Sequence, residues 1–342
     1  MYPRRDDGSG LYGYWRGAGW AITPGFAYAN AFQGGYAAVQ LLDGRPCLVS
    51  TDGARHPLEA ICGGKPVDDE EFSFSGFGGY DSLPPSYAAA CIVRGRRREW
   101  GLIDLHLNYR PLPRDVFDGA EYVRPCGERV VIHRKARRKA GALFGLYNLN
   151  DERLELPVEY SGIHPSAESF WVVVKSVGEY RTEHHCAYYD VSKRELLPGW
   201  FTSATPFSCG LGAVRVGGWD ARGRSYFVDE TLCQVFDDFD EVNRFAYGLA
   251  AVCKGDDVGY IDTTGRMRLV LPYERLTPFN EFGLAIANRN EAEWDLDIID
   301  RQGKARLGGL ETAVFWEGDF PHYEVTIDGE EHLFTPDMTM LF

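Results

Sequence analysis

The chain has 342 residues, a formal net charge of −14, and a composition that is 44% hydrophobic and 14% aromatic. The apolar content excludes a disordered chain, and the negative charge argues against broad affinity for nucleic acid or anionic membranes, because the mean field repels phosphate. Since no stretch approaches about 18 apolar residues, a membrane-spanning helix is also excluded.

The chain begins MYPRRDDGSGLYGYW, with two arginines but no long apolar run behind them, so we predict no secretory signal. We expect residues 1–10 to be extended or disordered, and residues 11–342 to form one domain. The eight cysteines include no C-x-x-C pair and several stand in apolar runs, which indicates reduced, mostly buried thiols of a cytoplasmic protein.

Pairs of short strands recur along the chain, each pair consisting of a small, apolar strand, a polar turn and a second strand rich in aromatic residues. The intervals between successive pairs indicate a tandem repeat of about forty residues in about eight copies. In chain order, the units begin near residues 35, 86, 128, 170, 210, 248, 283 and 322.

The clearest copy is GLAAVCKGDDVGYIDTTGRMRLVLPYERLTPFNEF, which begins at Gly248. The second strand of this copy and of its two neighbours ends in an aspartate, at Asp229, Asp262 and Asp300. The segment 13–32 aligns with 259–279, which indicates that the chain begins in the middle of a unit.

These residues resemble the bacterial WG-repeat proteins. The resemblance is closest in GLAAV at 248–252, GYID at 259–262 and the Pro-Tyr pair at 272–273, and WGLID at 100–104 contains the Trp-Gly pair itself. It covers essentially residues 11–342. The repeats of this family look like scaffolds and not like carriers of catalytic residues, so the resemblance implies no catalytic residue here.

The fold class we predict is all-β, because no segment has a helical period longer than two turns. One unit of three or four strands cannot bury both of its faces, so neighbouring units must stack. A β-propeller-like ring, in which the two chain ends share a blade, is favoured over the alternative of an open β-solenoid.

Two basic runs stand out from the acidic background, RGRRR and RKARRK, each between the first strand and the second strand of consecutive units. Equivalent loops of neighbouring repeats lie on one edge, so we expect the runs to meet in a patch. The candidate binding residues are Arg94, Arg96, Arg97, Arg98, Arg134, Lys135, Arg137, Arg138 and Lys139. A solvated face is the simpler interpretation of a charge run, and an anion-binding surface for phosphate, nucleic acid or an acidic protein is the functional one.

Other polar clusters favour structural roles. Adjacent strand residues point to opposite faces, so His184, His185 and Cys186 do not suit one metal. The acidic runs 68–71 and 237–241 lack the pattern of an EF-hand and indicate exposed turns. Tryptophans at 200, 219 and 316 either pack between units or line a ligand surface.

The function predicted from the sequence is a non-catalytic β-repeat scaffold whose inter-strand loops bind a protein partner. We expect no cofactor, no metal and no membrane, and nucleic acid is disfavoured by the charge. The alternatives are a propeller-type hydrolase with paired carboxylates in a central pocket, and anion or nucleic-acid binding through the local basic patch.

Overall fold

The structure is a computed structural model that describes residues 1–66, 74–75, 86–94, 97–136, 141–177, 183–218, 223–290, 295–317 and 321–341. The described chain falls into two compact units, Met1–Ile163 and the part from His164 onward. None of the described helices is long and apolar enough to cross a membrane.

The first unit contains the following elements in chain order: β1 (Tyr2–Arg5), β2 (Tyr12–Arg16), β3 (Gly19–Phe26), β4 (Tyr28–Ala29), β5 (Tyr36–Gln40), β6 (Pro46–Ser50), β7 (Arg55–Pro57), α1 (Leu58–Cys62), β8 (Lys65–Pro66), β9 (Phe74–Ser75), β10 (Tyr87–Arg94), β11 (Arg97–Asp104), β12 (Tyr109–Pro111), α2 (Arg114–Phe117), β13 (Tyr122–Cys126), β14 (Arg129–Lys135), β15 (Ala142–Asn148) and β16 (Arg153–Tyr160).

The division between the units falls within β17, and the remaining elements are all strands: β17 (Gly162–His164), β18 (Phe170–Val177), β19 (Glu183–Asp190), β20 (Glu195–Leu196), β21 (Ser203–Ala204), β22 (Gly212–Val216), β23 (Arg224–Val228), β24 (Glu241–Ala246), β25 (Leu249–Lys254), β26 (Asp257–Asp262), β27 (Met267–Val270), β28 (Arg275–Leu276), β29 (Leu284–Asn290), β30 (Asp295–Asp300), β31 (Ala305–Leu310), β32 (Thr312–Trp316), β33 (His322–Ile327) and β34 (Glu330–Phe334).

Within the described residues these strands form nine small antiparallel sheets that follow one another along the chain, as propeller blades do. The predicted all-β, propeller-like repeat fold is thereby confirmed. In a complete sheet such as β24-β25-β26-β27, the spatial order is the chain order. We expected the two chain ends to share one sheet. Instead, among the described strands, β1-β2-β3 and β32-β33-β34 each form a sheet of their own.

The hydrophobic core lies between the faces of successive sheets. Alternate residues of β10 serve two different layers, since Ala88 and Ala90 pack with Leu48 of β6, whereas Ala89 packs with Ile132 of β14. A strand that is buried on both faces needs apolar residues at every position. Strand β10 therefore lies in a sheet that is sandwiched between two others.

A tyrosine in the second strand of several units connects one sheet to the next. The hydroxyl groups donate to backbone carbonyls 16 or 17 residues later, in the pairs Tyr14 to Asn30 (2.8 Å), Tyr188 to Thr205 (2.9 Å) and Tyr260 to Thr277 (2.8 Å). Each ring also packs on a buried phenylalanine, in the pairs Tyr14–Phe32, Tyr188–Phe207 and Tyr260–Phe279. Burial raises the pKa of these tyrosines, so they remain neutral donors.

The aspartate at the end of the second strand closes the turn that follows. The Asp262 Oδ1 atom accepts hydrogen bonds from the backbone N–H groups of Thr264 (2.8 Å) and Arg266 (3.2 Å). Gly265 completes this turn with a φ of 79°, a backbone conformation that glycine adopts without strain. The same arrangement recurs at Asp104, Asp229 and Asp300.

Candidate functional site

The first basic run lies at the hairpin that joins β10 to β11. Arg97 and Arg98 are exposed at the beginning of β11, where the strand pairs with the end of β10. Arg94 ends β10, and Arg96 lies outside the described residues. The described cations of this run therefore stand at the end of β10 and the beginning of β11.

The second basic run occupies the same position in the next sheet, at the hairpin between β14 and β15. Lys135 is exposed and Arg134 is half-buried at the end of β14. The other three cations of the run, Arg137, Arg138 and Lys139, lie outside the described residues.

Helix α2 brings the described parts of the two runs together. The Arg134 guanidinium donates a hydrogen bond from Nη2 to the carbonyl oxygen of Val116 in this helix. Arg98 lines a cavity together with Phe117 of the same helix. Within the compact unit Met1–Ile163, the two hairpins therefore border one short helix. We refer to Arg97, Arg98, Arg134 and Lys135 as the basic edge.

The cavity beside the basic edge has a volume of about 180 Å³ and lies between β11 and α2. Its lining consists of Arg98, Glu99, Trp100, Pro111, Leu112, Arg114, Phe117 and Asp118. Trp100 is buried, and its Nε1 atom donates to the carbonyl oxygen of Ala120 at 3.0 Å. Apolar walls and a charged rim suit a single side chain from a partner more than a bound metabolite.

The described carboxylates whose pKa is shifted, such as Asp262 and Asp229, have it lowered. The pKa of Asp262 is held below its ordinary value chiefly by the hydroxyl of Thr264, and that of Asp229 by the hydroxyl of Thr231. These groups are ionised turn caps. Among the described residues, no group of three or more His, Cys, Asp or Glu side chains is placed to hold a metal ion.

Asp297 of β30 has a completely buried side chain, and the side chains of Asp190 and Glu155 are nearly as buried. The Asp297 Oδ2 atom accepts hydrogen bonds from the Tyr273 hydroxyl (2.6 Å) and from Arg289 Nε (2.9 Å) and Nη2. A Cβ atom on Gly308 would lie 2.5 Å from Oδ1, so backbone fills the space beside the carboxylate. This arrangement is an ion pair between a buried carboxylate and a half-exposed guanidinium.

A serine, a histidine and an aspartate meet at the end of β6, where Ser50 Oγ lies 3.4 Å from His56 Nε2 and 2.5 Å from Asp52 Oδ1. In a catalytic triad the carboxylate orients the histidine, which in turn accepts the serine proton. Here the hydroxyl is hydrogen-bonded to the carboxylate, and Asp52 also accepts the backbone N–H of Ala54 at 3.0 Å. The group closes a turn, as Asp262 does in its unit.

The family model for the WG containing repeat matches residues 238–256 and 259–291. The match begins before β24, covers β25 and β26, and ends just beyond β29. The chain is a WG-repeat protein. None of the curated protein sequences matches it.

The glycine of the Trp-Gly pair has a steric role in this WG-repeat protein. A Cβ atom on Gly259 would lie 1.9 Å from the carbonyl oxygen of Leu269, and one on Gly101 would lie 2.3 Å from the Tyr109 ring. The repeat glycine therefore allows the outermost strand to approach the second strand closely. In the eighth sheet, β28-β29-β30-β31, Asp297 stands at the position of the repeat glycine. Gly308 on the facing strand β31 leaves the space that allows the two strands to approach.

Two solved structures share the fold of this WG-repeat protein. One is a eukaryotic initiation factor, with 11% identity, a TM-score of 0.55, and coverage of 99% of this chain and 94% of that chain. The other is dipeptidyl peptidase 4 of Porphyromonas gingivalis, with 11% identity, a TM-score of 0.52, and coverage of 90% of this chain and 58% of that chain. At such low identity the likeness concerns the fold alone.

In β19, His185 points to one face of the strand and His184 and Cys186 point to the other. His184 is exposed, and its Nδ1 atom lies 3.0 Å from the Ser176 hydroxyl on the neighbouring strand, whereas Cys186 is buried. Burial raises the pKa of the Cys186 thiol. All eight cysteines are thiols, and five of them are buried.

The acidic run 237–241 lies at the surface, where Asp237, Asp238 and Glu241 pair with Lys254, Arg224 and Arg275 at 3.5, 3.4 and 3.6 Å. The other acidic run, 68–71, and Trp219 lie outside the described residues. Trp200 and Trp316 are 43% and 50% exposed, which does not fit the first of the two alternatives, packing between units.

Sequence reasoning missed α2, the short helix on which the basic edge converges. Two signals were available: Pro113 precedes the helix, and Arg114 adds a cation beside the cavity. It also missed the tyrosine-to-carbonyl bond, although the constant spacing of 16 or 17 residues between the partners is visible once the repeat is aligned.

Proposed function

We propose that this WG-repeat protein is a non-catalytic scaffold of the bacterial cytoplasm that binds an acidic protein partner through the basic edge of its first unit. The observation that supports this most directly is the convergence of two basic hairpins on α2, beside a cavity of side-chain size. The recurring polar side chains are hydrogen-bonded to their own turns, which leaves the variable loops to distinguish one unit from another.

The charge of the basic edge is local. The corresponding hairpin in the seventh sheet reads KGDDV, and that in the sixth reads GGWDARGR, so the same position is not cationic throughout the repeat. In a chain of net charge −14, a cationic edge is the part of the surface that an acidic partner approaches without repulsion.

A hydrolase is the alternative, and the fold shared with a peptidase permits it in principle. The described carboxylates that have shifted pKa values are shifted downward by turn hydrogen bonds, whereas a general acid requires a raised pKa. Nucleic-acid binding is a further alternative, and steep salt dependence with single-stranded DNA as the probe would support it.

The test is site-specific photo-crosslinking in living cells of the source organism. A photoreactive amino acid replaces Arg97 in one variant and Arg16, an exposed arginine at the end of β2, in the control. We expect one dominant protein adduct from position 97, lost when R98E and K135E are added to that variant, and no such adduct from position 16.

Adducts with nucleic acid in place of protein would overturn the proposal. Equal protein adducts from both positions would overturn it too, because they would report chance encounters. Hydrolase activity is checked separately on the purified protein with peptide and glycoside substrates. Turnover that survives R98E and K135E would favour the enzyme.

A further inference from the structure

The last sheet, β32-β33-β34, differs from the others in the first of its strands. β32 is the edge strand of this sheet, and its exposed residues Thr312, Val314 and Trp316 alternate with the half-buried Ala313 and Phe315. Val314 is 47% exposed and Trp316 is 50% exposed. An edge strand that shows β-branched and aromatic side chains to solvent is a template for pairing with another strand.

The corresponding strand of the seventh sheet does not have this character. In β24 the exposed residue is Glu241, and the apolar residues Val242 and Phe245 are covered. Phe315 on the opposite face of β32 packs on Tyr323 (4.8 Å between ring centroids) and near Phe282 (6.1 Å), which holds the strand in place. The apolar edge is thus a local departure from the repeat, presented on a firmly packed strand.

The formal charges that this sheet itself carries are negative within its described residues. The described residues 311–317 and 321–334 contain no lysine or arginine, and the acidic residues are Glu311, Glu317, Glu324, Asp328, Glu330 and Glu331. Glu324 faces Val314 across the sheet, and its side chain is 53% exposed. Val314, Trp316 and Glu324 therefore share one face, on which apolar and anionic groups alternate.

We propose that β32 is a second binding site, which pairs with an extended basic segment of a partner protein. The backbone of that segment extends the sheet at the β32 edge, its apolar side chains cover Val314 and Trp316, and a lysine or arginine side chain on the same face meets Glu324. Main-chain pairing supplies affinity in this mode and alternate side chains supply specificity. The acidic surroundings select against acidic strands and against a second copy of this sheet.

The probe is a synthetic peptide, Lys-Val-Thr-Lys-Thr-Val-Lys, in which the second, fourth and sixth side chains share one face of a strand, so that two valines and a lysine meet Val314, Trp316 and Glu324. Its binding to the whole chain is measured by calorimetry at physiological salt. Two matched peptides accompany it, one with glutamate in place of lysine and one with N-methyl groups on alternate residues of the lysine peptide. We expect each to bind at least about tenfold more weakly, because the first reverses the charge and the second removes main-chain donors.

The variants V314S and W316S leave the net charge unchanged, and W200S removes an exposed tryptophan that lies outside any strand. We expect V314S/W316S to weaken binding of the lysine peptide at least about tenfold and W200S to change it less than about twofold. Circular dichroism shows whether each variant is folded. If V314S/W316S does not fold, the V314T substitution and the N-methyl peptide test the same edge.

Three outcomes would overturn the inference. The N-methyl peptide could bind as tightly as its parent, which would mean charge attraction without strand pairing. W200S and V314S/W316S could weaken binding equally. Sedimentation could show a dimer that dissociates in V314S/W316S, in which case a second copy of the chain is the occupant.

Discussion

The repeat glycine offers the sharpest test of the packing between strands. Replacing Gly259 with alanine puts a methyl group 1.9 Å from the carbonyl oxygen of Leu269 and 3.1 Å from the sulfur of Met267. Carbon and oxygen atoms approach no closer than about 3.3 Å in close backbone contacts. Strands β26 and β27 must therefore move apart by roughly 1 Å or more to restore that contact distance.

The cost follows from the bonds that this separation breaks. The Leu271 N–H donates to the Val258 carbonyl at 2.9 Å, and the strands pair at Gly259–Val270 and Tyr260–Leu269. A backbone hydrogen bond contributes about 1 kcal/mol net. Losing this hydrogen bond and disturbing the pairing beside it lowers the free energy of unfolding of this sheet by roughly 1–3 kcal/mol, the range for overpacked sites.

Hydrogen exchange followed by mass spectrometry is the assay, because the sheets of a repeat protein can open separately. We expect G259A to expose the amides of β26 and β27 while distant sheets keep their protection. The control is G19A, at a glycine with no heavy atom within 4 Å of the added Cβ atom. If G259A exchanged as slowly as the wild type and as G19A, the close-approach explanation of the Trp-Gly motif would be refuted.

Three further predictions concern the interactions that recur in the repeat or replace it. Y260F removes the hydrogen bond to the Thr277 carbonyl and should lower the free energy of unfolding by about 1 kcal/mol, whereas Y28F, at an exposed ring, should have little effect in the same denaturant titration. Because the pKa of Asp262 is lowered in the folded state, its contribution to stability is complete above the unfolded pKa of about 3.9 and is lost as the pH falls below that value. The D262N substitution should flatten this acidic part of a profile of stability against pH. An unchanged acidic part of the profile would contradict the role of Asp262 as a turn cap. The R289M substitution leaves the buried Asp297 carboxylate without its cation and should lower the free energy of unfolding by about 3 kcal/mol or more. Adding D297N should restore most of this loss. A double variant no more stable than R289M would disprove the ion-pair account.

The repeat and its β-class could be predicted because they depend on local periodicity. The segments GLAAV and GYID are separated by a polar turn, a pattern that favours two paired strands, and the structure forms β25 and β26 there. The sequence predicted residues 1–10 only as extended or disordered, because YPRR has neither apolar alternation nor a turn signal; the strand β1 forms by pairing with β2. Pairing is a tertiary effect that a short polar stretch does not encode by itself.

The candidate site was partly foreseen for the same reason. Placing both basic runs at equivalent hairpins required only the repeat period, whereas their meeting at α2 depends on a four-residue helix in a connection that belongs to no unit pattern. The exposure of Trp316 and Val314 was not predictable either, since TAVFW reads like any buried strand. Exposure depends on which neighbour a sheet edge has, and periodicity does not contain that information.

Calorimetry with the crosslinked partner, once it is identified and purified, tests the central claim most directly. The variant R97E/R98E/K135E reverses three cations of the basic edge, and R16E reverses one arginine away from it. We predict that the triple variant binds at least about thirtyfold more weakly and that R16E stays within about twofold of the wild type. Unchanged affinity of the triple variant would contradict the assignment of the basic edge as the partner-binding surface.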